Sequence, residues 1–535
     1  MSSGGNKSLA ADVGRRFGPD NNAGIRVNAA VRDGGTGVNY EDAELGLFSI
    51  GLDWHNDKTR LSADLGYQDN QLEQTRTNVR LSGVSAVPKA PNPKTNWAQP
   101  WSYSNERDLF GTLRGEYDFN STVTGWAAWG FRKSDEANSL ANLTVSNSDT
   151  GAGSFYRFDN TREDSVNTGE VGLRGSFYTG PVGHEWVVSA SYFEGEKKNA
   201  YTFDSGNSFT TNLYNPQYIA RPAFSAGAAS GNSLSSPALT NRTGLRSFAV
   251  GDTLSLFDDA LLVTLGARHQ TFKLENFAYN TGLAQPVYDK SRISPMAGVV
   301  YKATEELSVY GNYIEGLTQG DTASGSSPVP DNLGEILDPY VSKQKEIGLK
   351  YDWGNFAANA AVFSTSQPRS LVNGDNVFTS QGENRHRGLE TSFQGEVTPD
   401  IRVLGGVTWL DAKQKSTGSS TADGKDVIGV PNYMANVGVE WDLPSVQGLT
   451  FDSRVIHTGR SYADASNELE VKGWTRLDIG VRYLMDVGDN LLTIRARVDN
   501  VTNSAYWASS GGNPGSGYLV AGSPRTFTLS TAIDF

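Results

Sequence analysis

Thr475-Arg-Leu-Asp-Ile-Gly-Val-Arg-Tyr-Leu-Met-Asp486 alternates without a break, with Leu477, Ile479, Val481 and Tyr483 on one parity and Arg476, Asp478, Gly480 and Arg482 on the other. A period of two belongs to a β-strand, whose successive side chains leave opposite faces of the sheet. The next stretch repeats the pattern, Leu492, Ile494, Ala496 and Val498 opposing Thr493, Arg495, Arg497 and Asp499. One face of this hairpin is apolar and the other charged. A soluble sandwich and a barrel both satisfy that, because each buries one face and wets the other.

The rhythm of the connections separates them. Short turns recur at Gly180-Pro-Val-Gly183, Phe257-Asp-Asp259, Lys302-Ala-Thr-Glu-Glu306, Asp352-Trp-Gly-Asn355, Thr398-Pro-Asp400 and Met485-Asp-Val-Gly-Asp-Asn490. Between them lie long stretches rich in Gly, Ser, Asn and Pro at 70–104, 135–164, 197–242, 317–340 and 504–523. Tight turns alternating with long polar loops are the pattern of an outer-membrane barrel, with short periplasmic turns and long extracellular loops. Aromatic residues on the apolar parity gather just before the short turns: Trp54, Tyr117 with Phe119, Tyr301, Tyr351 with Trp353, Trp441 and Tyr483. Amphipathic rings at one end of successive hairpins predict a membrane girdle at headgroup level, and a soluble β-protein has no reason to align them.

Composition agrees. The chain has 535 residues, 20% charged and 37% hydrophobic, with 59 Gly and no Cys. It is neither disordered nor rich in helix formers. No stretch approaches the roughly 18 consecutive apolar residues of a membrane-spanning helix, which excludes a helical membrane protein but not a β-barrel. Without Cys there is no disulfide framework or thiolate chemistry, and a net charge of -13 argues against nucleic acid as a partner. Apolar-parity segments centre near Ala11, Asn28, Ile50, Ala63, Thr112, Trp129, Gly172, Ser189, Gly251, Leu265, Gly298, Tyr310, Gly348, Ala360, Ser392, Gly405, Val437, Arg454, Gly480, Arg495 and Leu529. This predicts one all-β domain over 1–535, a transmembrane antiparallel β-barrel of about 21 recognisable strands. Bacterial single-chain barrels have even strand numbers. The strand near Ala11 and that near Leu529 both descend, so a direct contact between them would have to be parallel.

Several stretches resemble the ferric-siderophore branch of the TonB-dependent outer-membrane receptors. They are Asp12-Val-Gly-Arg-Arg-Phe17 with Ile25-Arg-Val-Asn28, Ile293-Ser-Pro-Met-Ala-Gly-Val-Val-Tyr301 with Leu307-Ser-Val-Tyr-Gly-Asn-Tyr-Ile-Glu-Gly316, Gln344-Lys-Glu-Ile-Gly-Leu-Lys-Tyr351, Arg385-His-Arg-Gly-Leu-Glu390, and Val498-Asp-Asn-Val-Thr-Asn503 with Tyr506, Pro524-Arg525 and Phe535. The resemblance implies a 22-strand barrel in the outer membrane of a Gram-negative bacterium, taking up ferric siderophores with energy from the TonB complex. It also implies that Phe535 ends a signal for the barrel-assembly machinery, that lipopolysaccharide and outer-membrane lipid surround the protein, and that it is a monomer. Family members begin with a signal peptide, a TonB-binding box and a plug. None is legible ahead of the first segment, so the expectation is a barrel without plug, signal or first strand, coupled to TonB only if a plug is supplied. A passive, porin-like diffusion channel and a surface-binding barrel without transport are the alternatives.

Enzymatic chemistry is not expected. His55, His184, His269, His386 and His457 lack metal-ligand spacing, and Asp258-Asp259 is explained by turn chemistry. Gly511-Gly-Asn-Pro-Gly-Ser-Gly517 opens no helix and reads as a flexible extracellular loop rather than a phosphate cradle. No catalytic residue, metal or cofactor is predicted; iron travels only within the ligand. Arg476, Asp478, Arg482, Arg495, Arg497 and Asp499 are predicted to face the lumen, either pairing across strands or contacting a plug and lining a path for a polar solute. The candidate ligand contacts are loop aromatics in polar surroundings, Trp97, Trp101, Tyr103, Phe155, Tyr156, Tyr201, Phe203, Phe209, Tyr214 and Tyr218, for which packing within the loops or an upper aromatic girdle is the competing reading.

Overall fold

A computed structural model describes residues 1–325, 329–513 and 516–535. Antiparallel ladders join consecutive long strands from Lys7–Phe17 to Thr526–Asp534 in one sheet of 22 strands, one of which, Ala229–Gly231, is a short addition pairing only with the end of Val182–Phe203. The remaining 21 contain every centre predicted from the alternation. The sequence sets the short turns locally. Asn56 and Asn120 each accept two backbone N–H groups from the residues two and three further on, and Phe257, Asp258 and Asp259 take positive φ to reverse the chain.

Register keeps apolar side chains on one face from strand to strand. Val437 lies opposite Val455, which lies opposite Leu477; Trp441, Phe451 and Val481 form a second such row. This face is exposed, with Leu9, Val31, Phe48, Leu113, Val250, Leu265 and Ile347 all open. So continuous an apolar surface belongs against lipid. Trp54, Tyr117, Tyr301, Trp353, Trp441 and Tyr483 are exposed toward the short-turn end of the same surface.

The first and last long strands do not form the parallel ladder that their directions require. Each has a single laddered neighbour, Ala23–Asp33 for the first and Asn490–Asp499 for the last. Instead the first three residues run upward beside the last strand. The Ser3 N–H donates to the Phe527 carbonyl at 2.9 Å, Leu529 N–H to the Met1 carbonyl at 2.9 Å, and the Met1 amine to the Leu529 carbonyl at 2.8 Å. The chain then folds back, Ser2 N–H reaching the Asn6 carbonyl at 2.9 Å, and descends as Lys7–Phe17, every residue of which is exposed. The antiparallel preference is met by three residues at the loop end, in place of a parallel pairing along the whole seam.

Ile479 sits midway between Thr475 and the girdle residue Tyr483 on the apolar face. Ile479→Arg is expected to destabilise the folded barrel by about 2 to 4 kcal/mol, the depth-dependent cost of a cation on the lipid face. Urea unfolding in lipid vesicles, followed by tryptophan fluorescence, measures it.

Candidate ligand-binding vestibule and lumen

The long loops build a second sheet. Its six strands run in the order Phe209–Asn212, Ala152–Phe155, Thr144–Val145, Val79–Leu81, Ser516–Ala521 and Trp507–Asn513. Loops from both sides of the seam meet in it, Val79 and Arg80 pairing with Leu519 and Tyr518. Beneath lies an apolar core that includes Val79, Trp97, Leu143, Val145, Leu213 and Leu519. The indoles are satisfied inside it, Trp97 donating to the Thr77 carbonyl at 3.1 Å and Trp507 to the Pro88 carbonyl at 2.8 Å. Arg76 lies 5.1 Å from the Trp97 ring and donates to the Pro93 and Thr95 carbonyls. Burial lowers its guanidinium pKa, with Glu41 opposing the shift.

Several of the candidate aromatics pack within the loops, the competing reading of their sequence. Trp97 at 2% and Phe155 at 1% exposure are interior residues of the loop sheet, and Phe209 packs on Phe155 with ring centroids 5.7 Å apart. Tyr214 leans on the same core and donates its hydroxyl to the Lys89 carbonyl at 3.1 Å. Tyr218 donates to the Asn96 carbonyl at 2.7 Å and meets Tyr40 edge-on. Trp101 is half-buried and Tyr103 begins the strand Tyr103–Asp118. The stretch expected to be a flexible loop contributes strand residues to this sheet on either side of Pro514 and Gly515, which lie outside the described residues.

The other predicted aromatics converge at the barrel mouth. Phe203 sits 6.0 Å from Tyr156 and 5.8 Å from Tyr201, and Tyr201 meets Tyr279 edge-on at 5.0 Å. Phe158 opposes Phe203 and Asn160 opposes Tyr201 in register. These positions share the parity opposite to lipid-facing Leu173 and Val188, which puts Tyr201 and Phe203 on the lumen side. Polar groups interleave the rings. Arg80 donates to the Tyr156 hydroxyl at 3.1 Å, Asn160 to the Asn199 side chain at 2.7 Å, and Asn199 to the Tyr279 hydroxyl at 2.7 Å. Sequence reasoning missed Arg80, Asn199 and Tyr279. Tyr279, beside Asn280, carried the signal used for the other loops, but in a loop too short to draw notice.

Lower down, the wall is charged and largely compensated. Asp478, fully buried, accepts from Arg476 at 2.8 Å and from the Asn500 N–H at 2.8 Å; Arg497 binds Asp499 at 2.8 Å and Asp452 at 3.0 Å. Arg482 donates to Thr450 at 3.2 Å. Arg495 lines a recess of about 980 Å³ with Arg402, Arg454, Arg482 and Glu440, and among the described residues no carboxylate lies within 4.0 Å of it. The five histidines stand on five different strands.

The family model for the TonB dependent receptor-like β-barrel matches residues 46–501. The chain belongs to the TonB-dependent receptor β-barrel family. It is 35% identical to the ferrichrome receptor FcuA of Yersinia enterocolitica over 98% of this chain and 69% of that protein. The crystal structure of BauA, the ferric preacinetobactin receptor from Acinetobacter baumannii, matches with a TM-score of 0.91 at 34% identity, over 100% of this chain and 78% of that one. The siderophore receptor PiuA from the same species shares the fold, with a TM-score of 0.83 at 18% identity over 99% of this chain and 80% of that one. Membership places the receptor in the Gram-negative outer membrane, its short turns periplasmic and its loop sheet outside.

Two outcomes follow for the receptor's loops. Trp97→Ala removes the largest fully buried side chain of the loop core, a loss of about 3 to 5 kcal/mol for a packed aromatic. Hydrogen exchange is expected to rise across 77–99 and 507–521 while the barrel strands stay protected. The Asp204 carboxyl accepts from the Ser225 N–H at 2.7 Å and its hydroxyl at 3.0 Å, and these bonds, the backbone one foremost, hold its pKa below the ordinary aspartate value. A depressed folded pKa gives stabilisation that is complete above the unfolded value of about 3.9 and lost as pH falls through the folded one. Protection of 204–228 should therefore survive to below pH ~4, and Asp204→Asn should remove that dependence.

Proposed function

We propose that the receptor binds a ferric siderophore at the cluster formed by Arg80, Tyr156, Tyr201, Phe203 and Tyr279, and carries it across the outer membrane. The observation that carries this reading is the convergence at the mouth: Tyr201 and Phe203 on the lumen-side parity meet Tyr156 and Tyr279, and Arg80 of the loop sheet joins them through the Tyr156 hydroxyl. A metal chelate presents flat apolar ligand surface together with oxygen-rich polar edges. Aromatic faces bury the first, and Arg and Asn donors match the second. FcuA and BauA are named for ferrichrome and ferric preacinetobactin, so the chelates to try first span both chemistries.

Uptake needs more than capture. A ligand held outside is released inward only when a second event weakens the site, because a ligand shifts an equilibrium only by its differential affinity for two states. In the family that event is TonB-driven. On this reading the chain is a transporter rather than an enzyme, inserted as a monomer by assembly machinery that reads the apolar final strand ending in Phe535, and it sits among outer-leaflet lipopolysaccharide.

Replacing Tyr201 and Phe203 with Ala, together with Arg80→Ala, is expected to weaken chelate binding by about tenfold or more, the scale of losing ~1.4 kcal/mol. Titration of the purified receptor with a panel of ferric hydroxamate and catecholate chelates reads the change. Undiminished affinity for every chelate that binds the unaltered receptor would remove the cluster from the site. Iron-chelate binding by the unaltered receptor separates this reading from a passive channel.

A further inference from the structure

We propose that the lumen recess at the periplasmic end of Leu449–Thr458, Trp474–Val487 and Asn490–Asp499 is a binding site for a small multivalent oxyanion, a phosphate or a polycarboxylate, clamped between Arg482 and Arg495. The inference is independent of the chelate cluster at the mouth. Parity turns both side chains inward. Val481 and Tyr483 flank Arg482 on the lipid-side parity, and Ala496 and Ile494 flank Arg495 in the same rows. Tyr483 belongs to the girdle, so the pair stands inside the barrel at the height of the periplasmic headgroups.

The register places like charges face to face. Arg482 lies directly opposite Arg495 in the ladder, where facing Cβ atoms stand about 4.5 to 5.5 Å apart and like charges destabilise. Several other wall arginines oppose carboxylates: Arg60 faces Glu116, Arg162 faces Glu136 and Arg402 faces Glu440. Where two cations do meet, at Arg385 and Lys413, each is bound by its own carboxylate, Glu383 at 2.7 Å and Asp426 at 2.5 Å. Arg482 and Arg495 have no such relief. Among the described residues the one carboxylate within 4.0 Å of either is Glu440, which is 3.9 Å from Arg482 and binds Arg402 at 3.1 Å. Asp442 is held by Arg402 at 2.6 Å and by the Thr450 hydroxyl at 2.6 Å. Asp452 leans across Gly480, into the space a Cβ would take there, to bind Arg497 at 3.0 Å.

The donors of the pair are underused. Arg482 donates through one terminal nitrogen to the Thr450 hydroxyl at 3.2 Å, and its buried Nε has no hydrogen-bond partner. A turn of the guanidinium toward an anion in the recess satisfies that donor, whose burial otherwise carries the cost of an unmade bond. Five arginines and three carboxylates line the recess, an excess of two positive charges. Its volume, about 980 Å³, is that of a small-molecule site. An anion with two or more charged oxygens cancels the excess and turns the repulsion between the facing guanidiniums into two attractions. Guanidinium forks match phosphate and carboxylate oxygens with paired N–H donors, and Ser530, next to Arg495 in the same row, adds a hydroxyl. A halide supplies neither the charge nor the paired oxygens.

The full chain purified in detergent would be titrated at constant ionic strength with inorganic phosphate, with citrate and with chloride, by calorimetry and by the midpoint of urea unfolding. Expected is saturable binding of phosphate or citrate but not of chloride, with a midpoint that rises with occupancy; the tighter of the two oxyanions names the class. Arg495→Gln is expected to weaken that binding at least tenfold and to leave the affinity for ferric chelates unchanged. Its effect on stability should change sign. Without oxyanion the variant unfolds at a higher urea concentration than the unaltered chain, because the facing charges are gone, and with saturating oxyanion at a lower one. No saturable oxyanion binding, an equal effect of chloride, or full oxyanion affinity in Arg495→Gln overturns the proposal. If that variant does not assemble, Arg495→Lys decides, since it keeps the charge and loses the fork: a loss of threefold or more supports the site, and unchanged affinity refutes it.

Discussion

Hydrocarbon offers no hydrogen bonds, so every backbone N–H and C=O crossing it must be paired within the protein. A sheet does so only through its neighbours, and the long strand-to-strand ladders here are the consequence. The alternation of the sequence then has a single solution. Apolar residues face lipid, charged ones face the lumen, and a one-residue slip in any ladder would exchange them. Rows such as Val437, Val455 and Leu477 show the register held against that slip across adjacent hairpins.

Among the described residues, Thr526–Asp534 meets residues 1–3 through backbone hydrogen bonds at the extracellular end. Above it the loop sheet binds the two sides together, Val79 to Leu519 by backbone and Trp507 to Pro88 by its indole. The buried core packed against that sheet joins stretches distant in the chain, around Val79 and around Leu519.

Strand positions, the outward girdle and the short turns were legible because each is a local consequence of period two or of Asn, Asp and Gly in a reversal. The division of the loop aromatics was not. Trp97, Phe155 and Tyr214 look like Tyr156, Tyr201 and Phe203 in sequence, all rings in polar stretches. What separates them is whether another loop, distant in the chain, covers the ring, and the pairing of Val79–Leu81 with Ser516–Ala521 is invisible to any local pattern. Arg80 was missed for a like reason, since it is the pairing of Val79–Leu81 with Thr144–Val145, and of that strand with Ala152–Phe155, that sets it beside Tyr156.

The wall charges show how a local rule can be read in the wrong direction. Pairing across strands was expected, and it occurs in Arg497 with Asp452 and Arg402 with Glu440. Yet Arg476 with Asp478, Arg497 with Asp499, Arg114 with Glu116 and Arg162 with Asp164 are pairs two residues apart on the same strand. Positions i and i+2 share a face, so these pairs form in any register and cannot select one. Arg497 with Asp499 and Arg114 with Glu116, both partly exposed, contribute at most about 1 kcal/mol each, whereas Asp478 is fully buried. The effect of such pairs is on the wall rather than on the fold: several strands bring their own counter-charges and present dipoles there in place of net charge. Arg495, outside this scheme, lines the recess as a cation with no carboxylate within 4.0 Å among the described residues, so an anion or a protein segment packed there would meet it without first displacing a partner.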